Sequence, residues 1–169
     1  AGALVNNGGN IGDGLAQTIN ITLTDDAIIG GTGHWGMISS SYAANTLDLD
    51  DSTLTIKGTG NSRFYPINTT STAGHIDFAD GLMHLSIAGK TTDFSASSFH
   101  KAAGAVIWGT GGALELGSLS GAGNNNTFYI NQSLTVGALN TNTEYSGHLT
   151  SNGGVATLTK VGTGTLTLS

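Results

Sequence analysis

The sequence predicts an all-β chain whose short parallel strands stack into a β-helix of about six or seven coils. Three observations predict this fold. Apolar residues alternate with Thr, Ser, Asp and Asn in many short segments, glycines separate these segments, and the tripeptide Gly-Thr-Gly recurs along the chain. Alternation with a period of two is the pattern of half-buried strands, and recurrence at a regular spacing is the pattern of stacked coils.

The alternating segments run along the whole chain, and helical periodicity is hard to find. The best helix candidate is the segment Ser95 to Val106, but it lacks apolar residues at i, i+3 and i+4, and Gly104 cuts it short. We therefore expect strands throughout. The alternating apolar residues are Ile19, Ile21 and Leu23, Leu47 and Leu49, Leu54 and Ile56, Leu82, Leu85 and Ile87, Leu114 and Leu116, Leu134 and Val136, Val155 and Leu158, and Leu166 and Leu168.

Internal repeats favour stacked coils over a sandwich or a barrel. The pattern T-L-T-x-x-G-T-G occurs at residues 53–60 and again at 157–164. The Gly-Thr-Gly tripeptides imply a coil of roughly 26 residues, and a coil of about 20 to 27 residues holds two or three short strands with glycines at the corners. Their first residues are Gly31, Gly58, Gly109 and Gly162, so the successive gaps are 27, 51 and 53 residues.

Length and composition narrow the classes of protein. The 169 residues can bury one substantial core, so we expect a single domain over 1–169. The net charge of −6 and the lack of a basic cluster argue against nucleic acid as a partner. The absence of cysteine excludes disulfides and thiolate chemistry and suits export through an oxidising compartment. Without an initiating Met, a signal peptide or a run of about 18 apolar residues, the chain is expected to be a mature fragment.

Two stretches near the C-terminus resemble a known family. Residues 145–149 (YSGHL) and 155–169 (VATLTKVGTGTLTLS) are similar to the autotransporter-associated β-strand repeat, which has a Y-S-G turn followed by L-x-K-x-G-x-G-T-L-x-L-S. Residues 26–35 (DAIIGGTGHW), with 45–49 and 52–60 behind them, resemble the family more loosely. The region 63–106 departs from the repeat, which leaves a loop excursion or a decorated coil open there.

The resemblance implies a right-handed, single-stranded parallel β-helix, or β-solenoid, that forms one segment of a larger autotransporter passenger. Such passengers are secreted or displayed on the surface of Gram-negative cells, and an outer-membrane β-barrel anchors the parent chain. The implied role is a non-enzymatic scaffold or adhesin, with a part in cell adhesion and virulence. The implied partners are a host-surface or carbohydrate ligand, or a second passenger in self-association.

The alternative function is a carbohydrate-active β-helix enzyme, either a polysaccharide lyase or a hydrolase. The densest group of candidate catalytic or metal-binding residues is His75, Asp77, Asp80 and His84, and strand spacing places His75 and Asp77 on one face. We favour a solvent-facing polar role for this group, since the chain lacks H-E-x-x-H and G-x-S-x-G motifs. No catalytic, metal-binding or cofactor-binding residue is therefore predicted, and no cofactor is expected.

Two weaker candidates concern calcium. Asp48, Asp50 and Asp51 form an acidic corner that could attract Ca²⁺, but the twelve-residue calcium loop is lacking. Residues 8–13 (GGNIGD) faintly resemble the calcium-binding G-G-x-G-x-D nonapeptide, but the third glycine is one place late and the motif does not recur. We favour ordinary turns at both places.

Aromatic and threonine residues offer two further hypotheses. The aromatic residues are expected to pack in the core or at corners, with a platform for sugar rings as the alternative. Pairs of Thr flanking an inward Leu are expected to stack into polar ladders through which two columns could associate by hydrogen bonds of about 1 kcal/mol each. The aromatic residues are Trp35, Tyr42, Phe64, Tyr65, Trp108, Phe128 and Tyr129, and the pairs are Thr22 and Thr24, Thr53 and Thr55, Thr157 and Thr159, and Thr165 and Thr167.

Overall fold

The computed structural model describes residues 2–7, 20–37, 43–59, 63–85, 88–108, 111–122, 127–130, 133–151 and 153–169. These ranges contain β-strands, turns and bends and no helix. The strands are β1 (Gly2–Asn6), β2 (Ile21–Thr22), β3 (Ala27–Gly31), β4 (Trp35–Gly36), β5 (Asn45–Asp48), β6 (Thr53–Gly58), β7 (Arg63–Tyr65), β8 (Thr69–Ser71), β9 (Gly74–His84), β10 (Thr91–Trp108), β11 (Ala113–Gly121), β12 (Thr127–Tyr129), β13 (Ser133–Val136), β14 (Thr143–Tyr145), β15 (His148–Thr150), β16 (Thr157–Lys160) and β17 (Leu166–Leu168).

The strands form a parallel β-solenoid of about 6 turns, as the sequence predicts. Each strand pairs in parallel with a strand of a neighbouring turn. Parallel pairing between successive turns needs a long connection, and here the rest of the turn provides it. The prediction of stacked coils rather than hairpins is therefore confirmed.

Each turn has three faces, which we label A, B and C. Along the chain they follow one another in the order C, A, B. Strands β9, β10 and β11 bend from one face to the next without a break; β10 runs through all three. Face A contains β1, β3, β6, the first half of β9, the middle of β10, the second half of β11, β14 and β17. Face B contains β4, β7, the second half of β9, the end of β10, β12 and β15. Face C contains β2, β5, β8, the start of β10, the first half of β11, β13 and β16.

Alternate residues of every face point into one continuous core. On face A, Leu54 lies below Ile76, which lies below Phe99, and all three side chains are fully buried. Because neighbouring strands lie about 4.8 Å apart, such columns keep side chains of successive turns in van der Waals contact. Face B adds the column Phe64, Met83, Ile107 and Phe128 in the same way.

Buried polar side chains tie the corners between faces. Asn45 donates hydrogen bonds through Nδ2 to three backbone carbonyls. Thr92 donates through Oγ1 to the carbonyl of Pro66 at 2.6 Å, and the hydroxyls of Ser71 and Ser97 lie 2.6 Å apart. These contacts satisfy groups that would otherwise be buried without partners, so the corners resist opening.

The repeats mark turns less regularly than the sequence predicts. Gly31 and Gly58 are register partners, as expected. The first T-L-T segment lies on face A in β6, however, and the second lies on face C in β16, with Gly162 in the turn after it. Residues hydrogen-bonded across one turn are 27 apart at Asp26 and Thr53 but 20 apart at His100 and Ser120. Both spacings lie within the 20 to 27 residues expected of a coil, so the length of the turns varies along the solenoid, and Gly109 lies outside the described residues.

The region 63–106 supplies strands β7 to β9 and most of β10 in its described residues, 63–85 and 88–106. All four strands pair within the solenoid. The segment Ser95 to Val106 belongs to β10, so the helix considered there does not form. The side chains of Ser97, Phe99 and Lys101 point inward at every second position, as in a strand. This alternation outweighs the helix propensity of the alanines in the segment.

Candidate functional site

A line of aromatic side chains runs along face B, one from each of five successive turns. We call this line the aromatic ladder; it consists of His34, Tyr65, His84, Trp108 and Tyr129. The ring centroids of successive members lie 6.1, 5.3, 6.0 and 5.2 Å apart. The ladder therefore extends parallel to the solenoid axis.

The ladder follows directly from strand alternation. The residue before each of its last four members belongs to the buried core column of face B, so the ladder residue itself points outward. Strand register then places His84 against Trp108 and Trp108 against Tyr129. The ladder ends one turn later, where Tyr129 is paired with Thr150.

The C-terminal part of the ladder, from His84 to Tyr129, is partly exposed to solvent. His34 and Tyr65 are each only 6% exposed, while His84, Trp108 and Tyr129 are half-buried. The rings of His84 and Trp108 are nearly parallel at 21°, and those of Trp108 and Tyr129 are inclined at 38°. Such pairs contribute about 0.5–1.5 kcal/mol each beyond their burial, so the ladder is ordered without a ligand.

This arrangement can bind a flat, partly apolar molecule. The side chains of His84, Trp108 and Tyr129 are partly exposed along one line, and Trp and Tyr each combine an apolar surface with a hydrogen-bond donor. A linear polymer lying along the axis would meet one ring per turn, at a spacing of about 4.8 Å. At the buried end, the Arg63 guanidinium donates a hydrogen bond to the Tyr65 hydroxyl at 3.1 Å.

The aromatic residues singled out from the sequence divide between core and ladder. Phe64 and Phe128 are buried in the core, as expected. Trp35 packs against the core from its end and donates through Nε1 to the carbonyl of Gly30 at 2.9 Å. Tyr65, Trp108 and Tyr129 belong to the ladder, and Tyr42 lies outside the described residues.

The candidate catalytic group is divided by the fold. His75 and Asp77 lie on one side of β9, as predicted, and both face outward on face A. Asp80 lies where β9 leaves face A, and its carboxylate accepts a hydrogen bond from the Gly81 amide. His84 belongs to the aromatic ladder on face B. The four side chains therefore do not converge on one point.

Two serine-histidine pairs lie on the outer side of face A. His75 Nδ1 lies 2.6 Å from Ser98 Oγ, and His100 Nδ1 lies 3.2 Å from Ser120 Oγ. Each pair joins two successive turns. A serine nucleophile also needs a third group that orients the histidine. Within the described residues no hydrogen bond joins a carboxylate to His75 or His100, although strand register places Asp77 next to His100.

Two of the three aspartates in the acidic corner lie in a turn. Asp50 and Asp51 have φ angles of 46° and 60° in the turn between β5 and β6. Asp48 accepts a hydrogen bond from the Thr72 hydroxyl at 2.9 Å. Within the described ranges, no three His, Cys, Asp or Glu side chains lie close enough together to hold a metal ion. The segment 8–13 lies outside them.

The predicted threonine pairs do not stack on one another. Thr53 and Thr55 pair across the turn with His75 and Asp77. The pair at 157 and 159 lies on face C above Ser133 and Thr135, and Thr167 on face A pairs with Glu144. The prediction that these pairs stack on one another into polar ladders is therefore wrong, because they lie on different faces or in different turns; Thr157 and Thr159 stack instead on the polar side chains of Ser133 and Thr135.

One buried group was not singled out from the sequence. The side chain of Lys101 is only 1% exposed and points into the core between Phe78 and Gly121. Its ammonium group contacts the carbonyl of Ala102 at 3.5 Å, and desolvation by burial lowers its pKa to about 8. In the same column, Tyr145 lies two turns above Lys101 and pairs with Gly121. Burial raises the pKa of the Tyr145 hydroxyl to about 12.

Three hollows along the described residues are small. The roomiest of the three has a volume of about 60 Å³ and is lined by apolar side chains that include Leu4, Met37 and Phe64. Pockets for small molecules usually measure about 300–1,000 Å³. These hollows are therefore too small for a substrate, and an exposed face is the better candidate for binding.

Comparisons with protein-family models, with curated proteins and with solved structures give no match to this chain. In the part of the chain that the structure describes, no helix has the length and apolarity to span a membrane. The candidate site therefore depends on its own geometry.

Proposed function

We propose that this chain is a non-enzymatic segment of an autotransporter passenger, displayed on a Gram-negative cell surface or secreted, that mediates adhesion by binding carbohydrate on face B. The observation that carries the proposal is the aromatic ladder, in which His84, Trp108 and Tyr129 are partly exposed along the axis of a parallel solenoid. The family resemblance of residues 145–149 and 155–169 supports the cellular setting.

Several physical features support binding over catalysis. Carbohydrate-binding surfaces need apolar rings beside hydrogen-bond donors, and Trp108 and Tyr129 provide both. An enzyme needs an acid, a base and a substrate held together in one cleft. The candidate acid-base residues lie instead on two faces, with His75 on face A and His84 on face B.

We expect Trp108→Ala to lower the affinity for polysaccharide by about tenfold or more, which corresponds to about 1.4 kcal/mol of binding free energy. The reason is that the indole occupies the middle of the exposed part of the ladder. The probes are polygalacturonate, its methyl ester and cello-oligosaccharides, and the affinity is measured by isothermal titration calorimetry. Circular dichroism checks that the variant is folded.

The matched control is Trp35→Phe, since Trp35 packs against the core and does not belong to the ladder. This control should bind as the wild type does. The proposal fails when the wild type binds none of the probes, or when Trp108→Ala binds as tightly as the wild type. Reducing ends are measured in the same samples; cleavage that disappears in the triple variant His75→Ala, Asp77→Ala, Asp80→Ala would favour the enzymatic alternative.

A further inference from the structure

The hydrogen-bonding groups of the aromatic residues divide into those that the protein itself uses and those that it leaves open. Trp35 donates through Nε1 to a backbone carbonyl at 2.9 Å, and the Tyr65 hydroxyl accepts a hydrogen bond from Arg63. Among the described residues, by contrast, none is hydrogen-bonded to the Trp108 indole N–H or to the Tyr129 hydroxyl. The partly exposed part of the ladder therefore offers two unused hydrogen-bonding groups to a ligand.

The outward residues around the three partly exposed rings form an uncharged strip along face B. Each ring has a second outward residue two positions earlier in its strand, and neither column contains Asp, Glu, Lys or Arg in these three turns. All six side chains are half-buried, and two of the three added residues are aliphatic. We call this surface the neutral strip; it consists of Leu82, His84, Val106, Trp108, Thr127 and Tyr129.

The charges near the neutral strip do not favour an ionic ligand. Arg63 and Asp80 line one hollow together with Leu82 at the N-terminal end of the strip, so a charge of each sign is present there. Arg63 is half-buried and already donates to the Tyr65 hydroxyl, and the whole chain has a net charge of −6. A charged polymer therefore finds no opposite charge on the strip to offset the loss of its hydration, whereas an uncharged polymer does not need one.

The spacing of the rings fits an extended chain of sugars. The centroids of His84, Trp108 and Tyr129 lie 6.0 and 5.2 Å apart in three successive turns. Pyranoses joined through equatorial oxygens at C1 and C4 form a straight ribbon, in which each sugar advances by about 5 Å, close to the spacing of the strands. Such a ribbon has axial C–H groups on its faces and hydroxyl groups along its edges. It can therefore contact the rings and aliphatic side chains while its hydroxyls reach the hydrogen-bonding groups of Trp108 and Tyr129.

We infer that the carbohydrate bound by face B is a neutral, extended polysaccharide of the β-1,4-glucan class, with one sugar at each of the three rings of the neutral strip. This inference rests on the proposed carbohydrate binding and specifies its ligand. A chain linked through an axial oxygen curves away from a straight line, so it meets fewer rings at once. The affinity should therefore depend on linkage, on chain length and on the absence of charge.

Linkage and chain length give the first part of the test. Calorimetry compares cello-oligosaccharides of two to six sugars with malto-oligosaccharides of the same lengths, which contain the same glucose joined through axial oxygens. We expect the affinity for the cello-oligosaccharides to rise at least about tenfold between two and four sugars and then to level off, because further sugars extend past the last ring. Maltohexaose should bind at least about tenfold more weakly than cellohexaose.

Two variants of one residue test whether the neutral strip is the surface that counts the sugars. In Tyr129→Ala the affinity should level off one sugar earlier, because one ring is missing. Tyr129→Phe keeps the ring, so the length dependence should remain, and the lost hydroxyl should weaken binding only about threefold. The matched control is Thr135→Ala, which alters a half-buried outward residue on face C and should change neither. Circular dichroism checks that each variant is folded.

A charged form of the same ligand completes the test. Oxidation of the C6 hydroxymethyl groups of cellohexaose to carboxylates keeps linkage and length and adds negative charge, and it should weaken binding at least about tenfold. Equal affinity for cellohexaose and maltohexaose, tighter binding of the oxidised form, or an unchanged length dependence in Tyr129→Ala would overturn this inference and leave the proposed carbohydrate binding intact. Absence of binding to every probe would overturn both.

Discussion

Replacing Gly121 with alanine is expected to destabilise the solenoid by more than about 3 kcal/mol. Gly121 ends β11 with a φ of 138°, a conformation that L-residues rarely adopt, and an added Cβ would overlap the backbone carbonyl of Lys101 in the turn below. The strands cannot move apart to make room, because their spacing is fixed by the parallel hydrogen bonds. Urea denaturation followed by circular dichroism measures the change in the free energy of unfolding.

Gly153→Ala is the matched control for this experiment. Gly153 also has a positive φ, 83°, but an added Cβ would meet nothing within 4 Å. The backbone penalty alone is about 1–2 kcal/mol. Equal destabilisation by the two substitutions would show that the contact of an added Cβ with the Lys101 carbonyl does not contribute to the loss of stability at Gly121.

Lys101→Met is expected to stabilise the protein by about 1–3 kcal/mol at pH 7. Lys101 is buried with no carboxylate partner among the described residues, and methionine has a similar length without the charge. The measurement is again the free energy of unfolding from urea denaturation. Lys57→Met, at an exposed position, serves as the control and should change it by less than about 0.5 kcal/mol.

The stabilisation from Lys101→Met should depend on pH in a defined direction. The folded chain releases the Lys101 proton near its lowered pKa of about 8, and the unfolded chain releases it near the ordinary value of 10.5. Between these values the unfolded chain binds more protons, so the wild type gains stability as pH rises from 8 toward 10.5. The advantage of the variant should therefore be full below pH 8 and shrink above it. An advantage that stays constant from pH 7 to pH 10 would contradict the buried, desolvated lysine.

Much of the fold could be predicted from the sequence because period-two alternation is a local property. Segments such as Leu54 and Ile56, or Leu114 and Leu116, alternate in the sequence and point into the core in the structure. The face on which a segment lies is not local. The T-L-T segments in β6 and β16 share their residues but lie on faces A and C, since any strand followed by a glycine turn fits either corner. Lys101 was missed for a related reason, because a single charged residue interrupts the apolar pattern that marks inward positions.

The aromatic ladder could be predicted only in part. Tyr65, Trp108 and Tyr129 stand out in the sequence as large aromatic residues, but His34 and His84 do not. Assembly of the ladder depends on register across turns of unequal length, with 27 residues at one turn and 20 at another. Because a constant coil length is the natural assumption, the sequence alone aligns the wrong residues. Register had to come from the hydrogen-bonded pairing of the strands.

The two tryptophans allow a direct test of carbohydrate binding on face B. Each indole N–H gives a separate proton signal in nuclear magnetic resonance, and Trp35→Phe and Trp108→Phe assign the two signals. Titration with cello-oligosaccharides should shift the Trp108 signal progressively and leave that of Trp35, which donates to Gly30, in place. A shift of the Trp35 signal alone, or no shift of either signal at saturating concentrations, would contradict the assignment of the aromatic ladder as the binding surface.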